Sequence, residues 1–458
     1  MIIRQFFIPG LAHNSYLLGG ISSCFIIDPA RDPEPYLRAA EEENFKITGI
    51  LETHLHADFI SGHLDLHELT NAPIYAPKSG NCTFLHTPVQ EGNKITLDDC
   101  SINVLETPGH TPEHVSYTVT HLSRGDEPVA LFSGDTLFVG DVGRPDLFPG
   151  RARELASALY TSLHEKILKL PDFCEVYPAH GAGSFCGRSL SSKRSTTIGY
   201  ERRYNSALQI PDCESFVREL TENMPPSPDH FRRCSDINRK GPVLLSELPK
   251  IRELSPRKVR EILNEDTCDI LDIRRYDAFG SAHISNSLNI DGEVNFSTFA
   301  GWIVPPDRDI VISAHKPEDI PEIITKLRRV GLDRTIGYIQ GGIFAWALAG
   351  YDLNHVRTIS VHELDRLISE NDKLQILDVR TPGEFSGSHI KGSVNIHWPD
   401  LRIRHNELRK QDLLAVMCGT GSRSGIACSI LKRNGFSNIL NVAGGYTGWV
   451  AAGLEKKN

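Results

Sequence analysis

The chain opens as a succession of short apolar runs broken by turn residues. Segments 2–8, 15–18, 24–27, 49–53, 101–106, 115–119 and 129–133 are rich in β-branched and aromatic residues, which predicts strands. Stretches 33–44 and 152–170 carry apolar residues at helical spacing and predict helices. Polar loops rich in histidine follow several of the strands. Between 211 and 256 the pattern gives way to a connector with four prolines between 225 and 242, including Met224-Pro225-Pro226-Ser227-Pro228. A domain boundary is expected there.

Past residue 255 the sequence repeats itself. Leu271-Asp272-Ile273-Arg274 returns as Leu377-Asp378-Val379-Arg380. Eleven residues after each Asp comes a histidine, in Ala282-His283-Ile284 and again in Ser388-His389-Ile390. Both copies continue into Ser-Leu/Val-Asn-Ile at 287–290 and 393–396. Gly341-Gly342, with Trp346 behind it, matches Gly444-Gly445 with Trp449. Ordered matches of this kind define two copies of one unit of about 100 residues. Strands alternating with helices in each copy predict a parallel sheet covered on both faces.

Composition narrows the class. A chain of 458 residues accommodates about three domains, with 40 % hydrophobic and 23 % charged residues typical of globular material. The net charge of −9 argues against a nucleic-acid partner gripped through its phosphates. Ten cysteines without a C-x-x-C pair do not make a disulfide framework and suit a reducing compartment. No apolar run reaches the ~18 residues that span a bilayer, and residues 1–20 lack an uninterrupted apolar leader. A cytoplasmic protein without membrane or nucleic-acid partners is expected.

The histidines carry the first chemistry. Residues 53–63 read Thr-His54-Leu-His56-Ala-Asp58-Phe59-Ile-Ser-Gly-His63. Downstream come Thr107-Pro-Gly-His110, Ser133-Gly-Asp135-Thr and Pro178-Ala-His180-Gly. Each group follows a strand-like run, so the side chains sit on loops at one sheet edge, where imidazole and carboxylate suit zinc or iron. His63, His67, His86, His114 and His121 lack that context and are read as surface or structural.

This segment, residues 1 to about 210, resembles the metallo-β-lactamase superfamily. The resemblance implies an αββα sandwich with a metal at its edge. The family's dinuclear pattern H-x-H-x-D-H is broken here by Phe59, which removes a ligand of the second metal. The Thr-His-x-His-Ala-Asp core and Gly143-Arg144-Pro145-Asp146 are similar to the persulfide dioxygenase branch. That resemblance implies one Fe(II) per chain on His54, His110 and Asp135, with His56, Asp58 and His180 orienting the ligands. Arg144 and Asp146 are expected to form a salt-bridged turn or to help shape a substrate pocket. Cys186 is read as a structural residue beside Gly187, with a sulfur-handling thiol as the alternative.

The second chemistry lies near the C-terminus. An apolar strand ending at Met417 runs into Cys418-Gly419-Thr420-Gly421-Ser422-Arg423-Ser424, and a helix follows to Asn434. A cysteine first in a strand–loop–helix turn faces successive backbone N–H groups, which favours thiolate and a bound anion. Arg423 adds a positive charge. Cys428, in mid-helix, reads as a buried hydrophobe. The loop is similar to that of the rhodanese sulfurtransferases, in which the cysteine carries a persulfide. Only four residues separate Cys418 from Arg423, a loop shorter than the related phosphatases use, which suits a single sulfur atom. In the first copy the ungapped alignment puts Ala314 opposite Cys418 and Asp319 opposite Arg423, so that copy is expected to be inactive. The Asp272/Arg274 and Asp378/Arg380 pairs are read as salt bridges of the fold.

Together these resemblances imply an α/β multidomain chain. Residues 1–240 would be a metallo-β-lactamase-fold persulfide dioxygenase domain with a connector. Residues 255–353 would form an inactive rhodanese-like domain and 357–458 an active one, both with parallel sheets. The implied partners are a low-molecular-weight thiol persulfide, O₂ and sulfite or thiosulfate, and a homo-oligomer is expected from the resemblance. Two other readings stay open: a dizinc hydroxyacylglutathione-type thioester hydrolase with an appended sulfurtransferase, and a non-catalytic sulfur carrier or interaction protein.

Overall fold

The structure is a computed structural model that describes residues 1–457 except 189, 223, 225 and 294. Pro225 of the proline-rich stretch therefore lies outside the described residues. The chain forms two compact units, Met1–Leu248 with Arg328–Gly331, and Pro249–Leu327 with Leu332–Asn458. No helix among the described residues is long and apolar enough to cross a membrane.

The first unit packs two mixed six-stranded sheets face to face. One runs in the order Ile2–Ile8, His13–Gly19, Ser23–Ile27, Lys46–Leu51, Ile74–Pro77, Thr87–Val89. The other runs Thr196–Thr197, Glu175–Pro178, Ala130–Gly134, Val115–His121, Cys100–Glu106, Lys94–Leu97. Alternate residues of both sheets, including Leu18, Phe25, Ile27, Val104, Tyr117 and Phe132, meet in a buried core. Helices Glu34–Glu42 and His63–Thr70 pack on the first sheet. Helix Ala152–Glu165 covers the second sheet, with Leu159 and Leu163 against Leu131 and Val176. The result is an αββα sandwich.

The expected strands all occur, with one informative shift. The strand expected at 49–53 runs Lys46–Leu51 instead. The Glu52 N–H still donates to the Tyr75 carbonyl at 2.9 Å, but the Thr53 N–H turns to the Asp28 carboxylate, 2.7 Å away, and the strand ends. The helix expected at 152–170 ends at Glu165, and a single 3₁₀ turn, Ile167–Lys169, completes it. The connector is more structured than its prolines suggest. It contains helices Cys213–Thr221 and His230–Lys240. Phe216 and Leu220 of the first bury their side chains in the core beside helix Ala152–Glu165.

The second unit holds two five-stranded parallel sheets of identical order. The first is Arg252–Leu254, Thr335–Ile339, Asp309–Ser313, Cys268–Asp272, Leu288–Asn289. The second is Arg357–Ile359, Ile439–Val442, Leu414–Met417, Gln375–Asp378, Val394–Asn395. Asp272 pairs with Ser313 and Asp378 with Met417, so the sheet register also sets Ala314 opposite Cys418.

Candidate functional site

Loops leaving the sandwich strands bring His54, His110 and Asp135 together, with one ligand atom of each within 4.8 Å of the others. All three are buried. His110 Nε2 lies 3.2 Å from Asp135 Oδ2, and His54 Nε2 lies 3.8 Å from the same oxygen. His110 Nε2 and Asp135 Oδ2 have no hydrogen-bond partner among the described residues. Ligand bonds of about 2.0–2.2 Å put two ligands of one ion about 3–3.5 Å apart, so these atoms fit around a single cation. Leaving them buried and unpaired would be costly, and a cation resolves that cost.

Neighbouring groups fix which ring nitrogen faces inward. Asp28 accepts from the Thr53 N–H at 2.7 Å and from the Thr53 hydroxyl at 2.9 Å. The Thr53 oxygen is then left to accept from His54 Nδ1–H at 2.9 Å, which leaves Nε2 with its lone pair. His110 Nδ1 donates to the Arg144 carbonyl at 2.9 Å, with the same consequence. Burial pushes both imidazoles below their ordinary range and so keeps them in the neutral, ligating form. Burial also opposes ionisation of Asp135, yet His180 and His110 hold its carboxyl below the usual carboxylate range.

The remaining sequence candidates surround this set. His180 bridges two carboxylates, with Nδ1 2.7 Å from Asp135 and Nε2 2.9 Å from Asp58. Burial works against its charge, but Asp135 and Asp58 raise it well above the ordinary histidine range. His56 turns away to Asp28, 3.1 Å from Oδ1, with Glu52 at 3.9 Å. Arg144 is buried and forms a two-pronged pair with Asp146, each contact 2.7 Å, while its third nitrogen donates to the Phe185 carbonyl. Cys186 is buried, with its sulfur among the groups within 4.8 Å of Asp58 and His180. Burial, with Asp58 and Asp135 close by, pushes that thiol well above its ordinary range. Phe59 is fully buried, 4.0 Å ring to ring from His13 and 4.4 Å from His56.

Several participants carry no motif. His114, read from sequence as surface or structural, is buried and accepts the Asp135 N–H at 2.9 Å. It thereby holds the ligand's backbone in place. Gly134 makes room for it, because a Cβ there would stand 2.4 Å from His114 Nε2. Asp28 is equally invisible as a motif. His13 is buried in the strand beside His180, and neither of its ring nitrogens has a partner among the described residues. A fully buried polar strand start is the one signal that marks it.

The second candidate site lies in the C-terminal repeat. Cys418 is buried at the end of strand Leu414–Met417, and its sulfur accepts the Gly421 N–H at 3.1 Å. Helix Ser422–Arg433 starts at the next residue. Loop carbonyls are tied down by the Gly444-Gly445 segment. The Tyr446 N–H donates to Cys418, Thr447 to Gly419 and Gly444 to Thr420. Gly445 has to be glycine, since a Cβ would stand 2.2 Å from the Cys418 carbonyl oxygen. The Ser424 hydroxyl faces inward, 2.6 Å from Asn441 and 2.9 Å from the Gly421 carbonyl, whereas Ser422 is exposed. Cys428 is buried, and burial pushes its thiol well up.

Arg423 is not the lone charge that the sequence suggests. Its two terminal nitrogens donate to both oxygens of Glu384, at 2.7 and 2.8 Å. Those bonds hold the Glu384 carboxyl down at about 2. In the first repeat, Ala314 stands where the thiol would be and Asp319 ends a short 3₁₀ turn. A cavity of about 510 Å³ lies beside that loop, lined by Arg274, Arg275, Asp277, His315 and Lys326 among others.

Comparison with known proteins bears on both sites. Residues 8–180 match the metallo-beta-lactamase superfamily, and residues 255–349 and 360–452 each match the rhodanese-like domain. The human protein named persulfide dioxygenase ETHE1, mitochondrial, is 31 % identical over 236 residues, covering 50 % of this chain and 85 % of that protein. A hydroxyacylglutathione hydrolase of Hahella chejuensis is 35 % identical over 179 residues, covering 38 % of this chain and 64 % of that one. The crystal structure of a metallo-beta-lactamase from Staphylococcus aureus subsp. aureus COL superposes with a TM-score of 0.67 at 33 % identity, covering 74 % of this chain and 98 % of that one.

Proposed function

Because the chain belongs to the metallo-beta-lactamase superfamily, has a persulfide dioxygenase among its relatives and carries two tandem rhodanese-like domains, we propose that it couples an iron-dependent persulfide dioxygenase to a sulfurtransferase. The ligand set carries this reading. Two imidazoles and one carboxylate converge on one point, while Phe59 puts hydrocarbon between His13 and His56. One ferrous ion per chain is the matching cofactor. Held by His54, His110 and Asp135, such an ion would supply oxygen-activating chemistry.

The chain's own residues prepare that site. Thr53 and the Arg144 carbonyl hold the two imidazoles in the ligating tautomer. His180 is held between Asp58 and Asp135 by one contact from each ring nitrogen, and so fixes the orientation of the Asp135 carboxylate. Cys186, beside Asp58 and His180, packs in a buried apolar cluster with Ala57, Phe138 and Phe231. The net reaction takes a thiol persulfide, O₂ and water to thiol, sulfite and two protons. In the second step the Cys418 thiolate attacks the outer sulfur of another persulfide, and the donor thiol leaves with the electron pair. Sulfite then attacks the sulfur on Cys418, releases the thiolate and departs as thiosulfate. A reducing compartment such as the cytoplasm suits ten free cysteines, and a homo-oligomer is part of the proposal.

The rival reading is a dizinc thioester hydrolase. It is favoured by Asp58 and His180 standing 2.9 Å apart beside Asp135, a spacing that two ligands of a second ion would also show. Metal content and oxygen uptake separate the two. One iron per chain, with O₂ consumed on adding glutathione persulfide, is expected. Two zinc ions per chain and no O₂ uptake overturns the dioxygenase.

A further inference from the structure

The repeat without a thiol reaches the loop of the repeat that has one. Tyr276 opens helix Tyr276–Ser281 and lies against the glycines of the Cys418 loop. A Cβ on Gly421 would stand 2.9 Å from Tyr276 Cζ and 3.0 Å from its hydroxyl oxygen. A Cβ on Gly425 would stand 2.4 Å from Tyr276 Cβ. The phenol ring therefore runs along the first turn of helix Ser422–Arg433, in contact with bare main chain. Two further contacts join the two repeats along the same helix: the Asn289 N–H donates to Ser429 Oγ at 3.1 Å, and Arg433 pairs with Asp269 at 2.5 Å. The repeat motifs do not call for this tyrosine, since the matching position in the second copy is Pro382.

Gly421 is also the residue whose N–H donates to the Cys418 sulfur. Its φ of +124° belongs to the region that glycine alone adopts freely, so the peptide is aimed by a conformation with little intrinsic preference. Ser424 steadies its carbonyl from inside. Tyr276 covers it from outside.

Building on the sulfur-transfer reading, we propose that Tyr276 is a positioning residue of the Cys418 site. Its ring clamps the turn from Gly421 to Gly425, so that the Gly421 N–H stays aimed at the sulfur. The thiol-less repeat thereby completes the site of its neighbour. During transfer the N–H stabilises the thiolate before it attacks the outer sulfur of the donor, and again when sulfite displaces it. The charged and titratable groups around Cys418 are the Arg423–Glu384 pair, with Asp378–Arg380 and His397 beyond it, the Cys428 thiol and Lys432 behind, and the Arg275–Asp277 pair on the helix of Tyr276. Replacing Tyr276 changes none of these charges.

The test measures alkylation of Cys418 by iodoacetamide against pH in the full chain, with the modified peptide identified by mass. Tyr276→Phe should match the parent. Tyr276→Ala should shift the alkylation midpoint up by about one pH unit. It should also lower kcat for thiosulfate formation about tenfold with KM unchanged. Tyr276→Leu, which keeps bulk without a flat ring, should fall between them and serves in place of Ala if Ala lowers the unfolding temperature. An alkylation profile unmoved in both Ala and Leu overturns the clamp, as does a Phe variant as impaired as Ala. Failure of the parent Cys418 to take up sulfane sulfur would overturn the sulfur-transfer reading instead, and the alkylation profiles would still decide the clamp.

Discussion

In both repeats of the C-terminal half, an Asp at the end of one strand closes on an Arg two residues later with the same geometry. Asp272 and Arg274 approach to 2.6 Å, as do Asp378 and Arg380. Each Arg also donates to a carbonyl eight residues on, Ala282 or Ser388, at 2.7 Å. His283 stacks on Phe279 at 3.9 Å and His389 on Phe385 at 4.0 Å, each ring nitrogen bonded to the carbonyl four residues back. What the copies share is scaffold. What differs is the group at the head of the loop: Cys418, Arg423 and Glu384 on one side, and Ala314, Asp319 and Ala278 on the other. The two copies share their motifs and differ at the residues on which the proposed chemistry rests.

The sharpest way to break that comparison is to exchange the head groups. If the proposed transfer runs through Cys418, Cys418→Ser should lower thiosulfate formation at least about ten-thousandfold, because the proposed nucleophile is gone. Oxygen uptake with a persulfide should persist, and sulfite should accumulate in its place. Ala314→Cys should gain no measurable transfer, because Asp319 and Ala278 cannot supply the Arg423–Glu384 pair. Transfer by that variant, or loss of oxygen uptake in Cys418→Ser, would show that the repeats or the two sites are not separable in this way.

The shared scaffold predicts damage of the same kind in both repeats. Asp272→Asn or Asp378→Asn leaves a buried guanidinium without its counter-charge, at a cost of about 3–5 kcal/mol. A difference should survive between them. Arg380 lies 4.2 Å from the centre of the Tyr446 ring, while the matching residue beside Arg274 is Ile343. Asp378→Asn should therefore cost less than Asp272→Asn by about 1 kcal/mol. Denaturant unfolding of the full chain, followed separately through each repeat by hydrogen exchange, measures both.

These comparisons explain what the sequence made legible. The paired Asp-x-Arg and Gly-Gly motifs announce themselves because local geometry demands the same residues at the same spacing. The metal-site histidines do so because small-residue turns follow apolar runs. Glu384 is legible only as the N3 residue of a capping box on Thr381, and its pairing with Arg423, 39 residues away, stays hidden. Tyr276, Asp28 and His114 are hidden for the same reason: each acts across the fold on a residue that sequence spacing does not connect to it. Helix Cys213–Thr221 was masked by the prolines beyond it, although Phe216, Val217 and Leu220 make a buried face.

Smaller effects follow from the glycine pair. Gly342 and Gly445 both have positive φ, 57° and 51°, and a Cβ on either would press on the carbonyl oxygen of Ala314 or Cys418, at 2.6 and 2.2 Å. Substitution by Ala should cost each repeat about 2 kcal/mol. Only Gly445→Ala should also slow sulfur transfer, since only its neighbour carbonyl belongs to the proposed nucleophile. Thermal unfolding and thiosulfate formation, measured together, test whether the two losses divide in this way.

The mildest intervention is Glu384→Gln. The carboxylate holds Arg423 by two bonds but is itself part-exposed, so solvent screens much of its worth. Its carboxyl is held down at about 2 by Arg423, below the ordinary value for Glu. A depressed carboxyl contributes stability that is present above the unfolded-state value and is lost as pH falls toward the folded one. The parent loop should therefore keep the pair through the neutral and mildly acidic range, releasing it only as the pH approaches 2. In Glu384→Gln the guanidinium is uncompensated at every pH and free to swing toward the sulfur. Thiosulfate formation should fall about tenfold, while alkylation of Cys418 becomes easier at neutral pH because a nearer positive charge favours thiolate. Opposite changes in transfer and alkylation would mark Glu384 as the group that sets where Arg423 points. Parallel losses would mark it as a brace of the fold, like the Asp–Arg pairs that both repeats share.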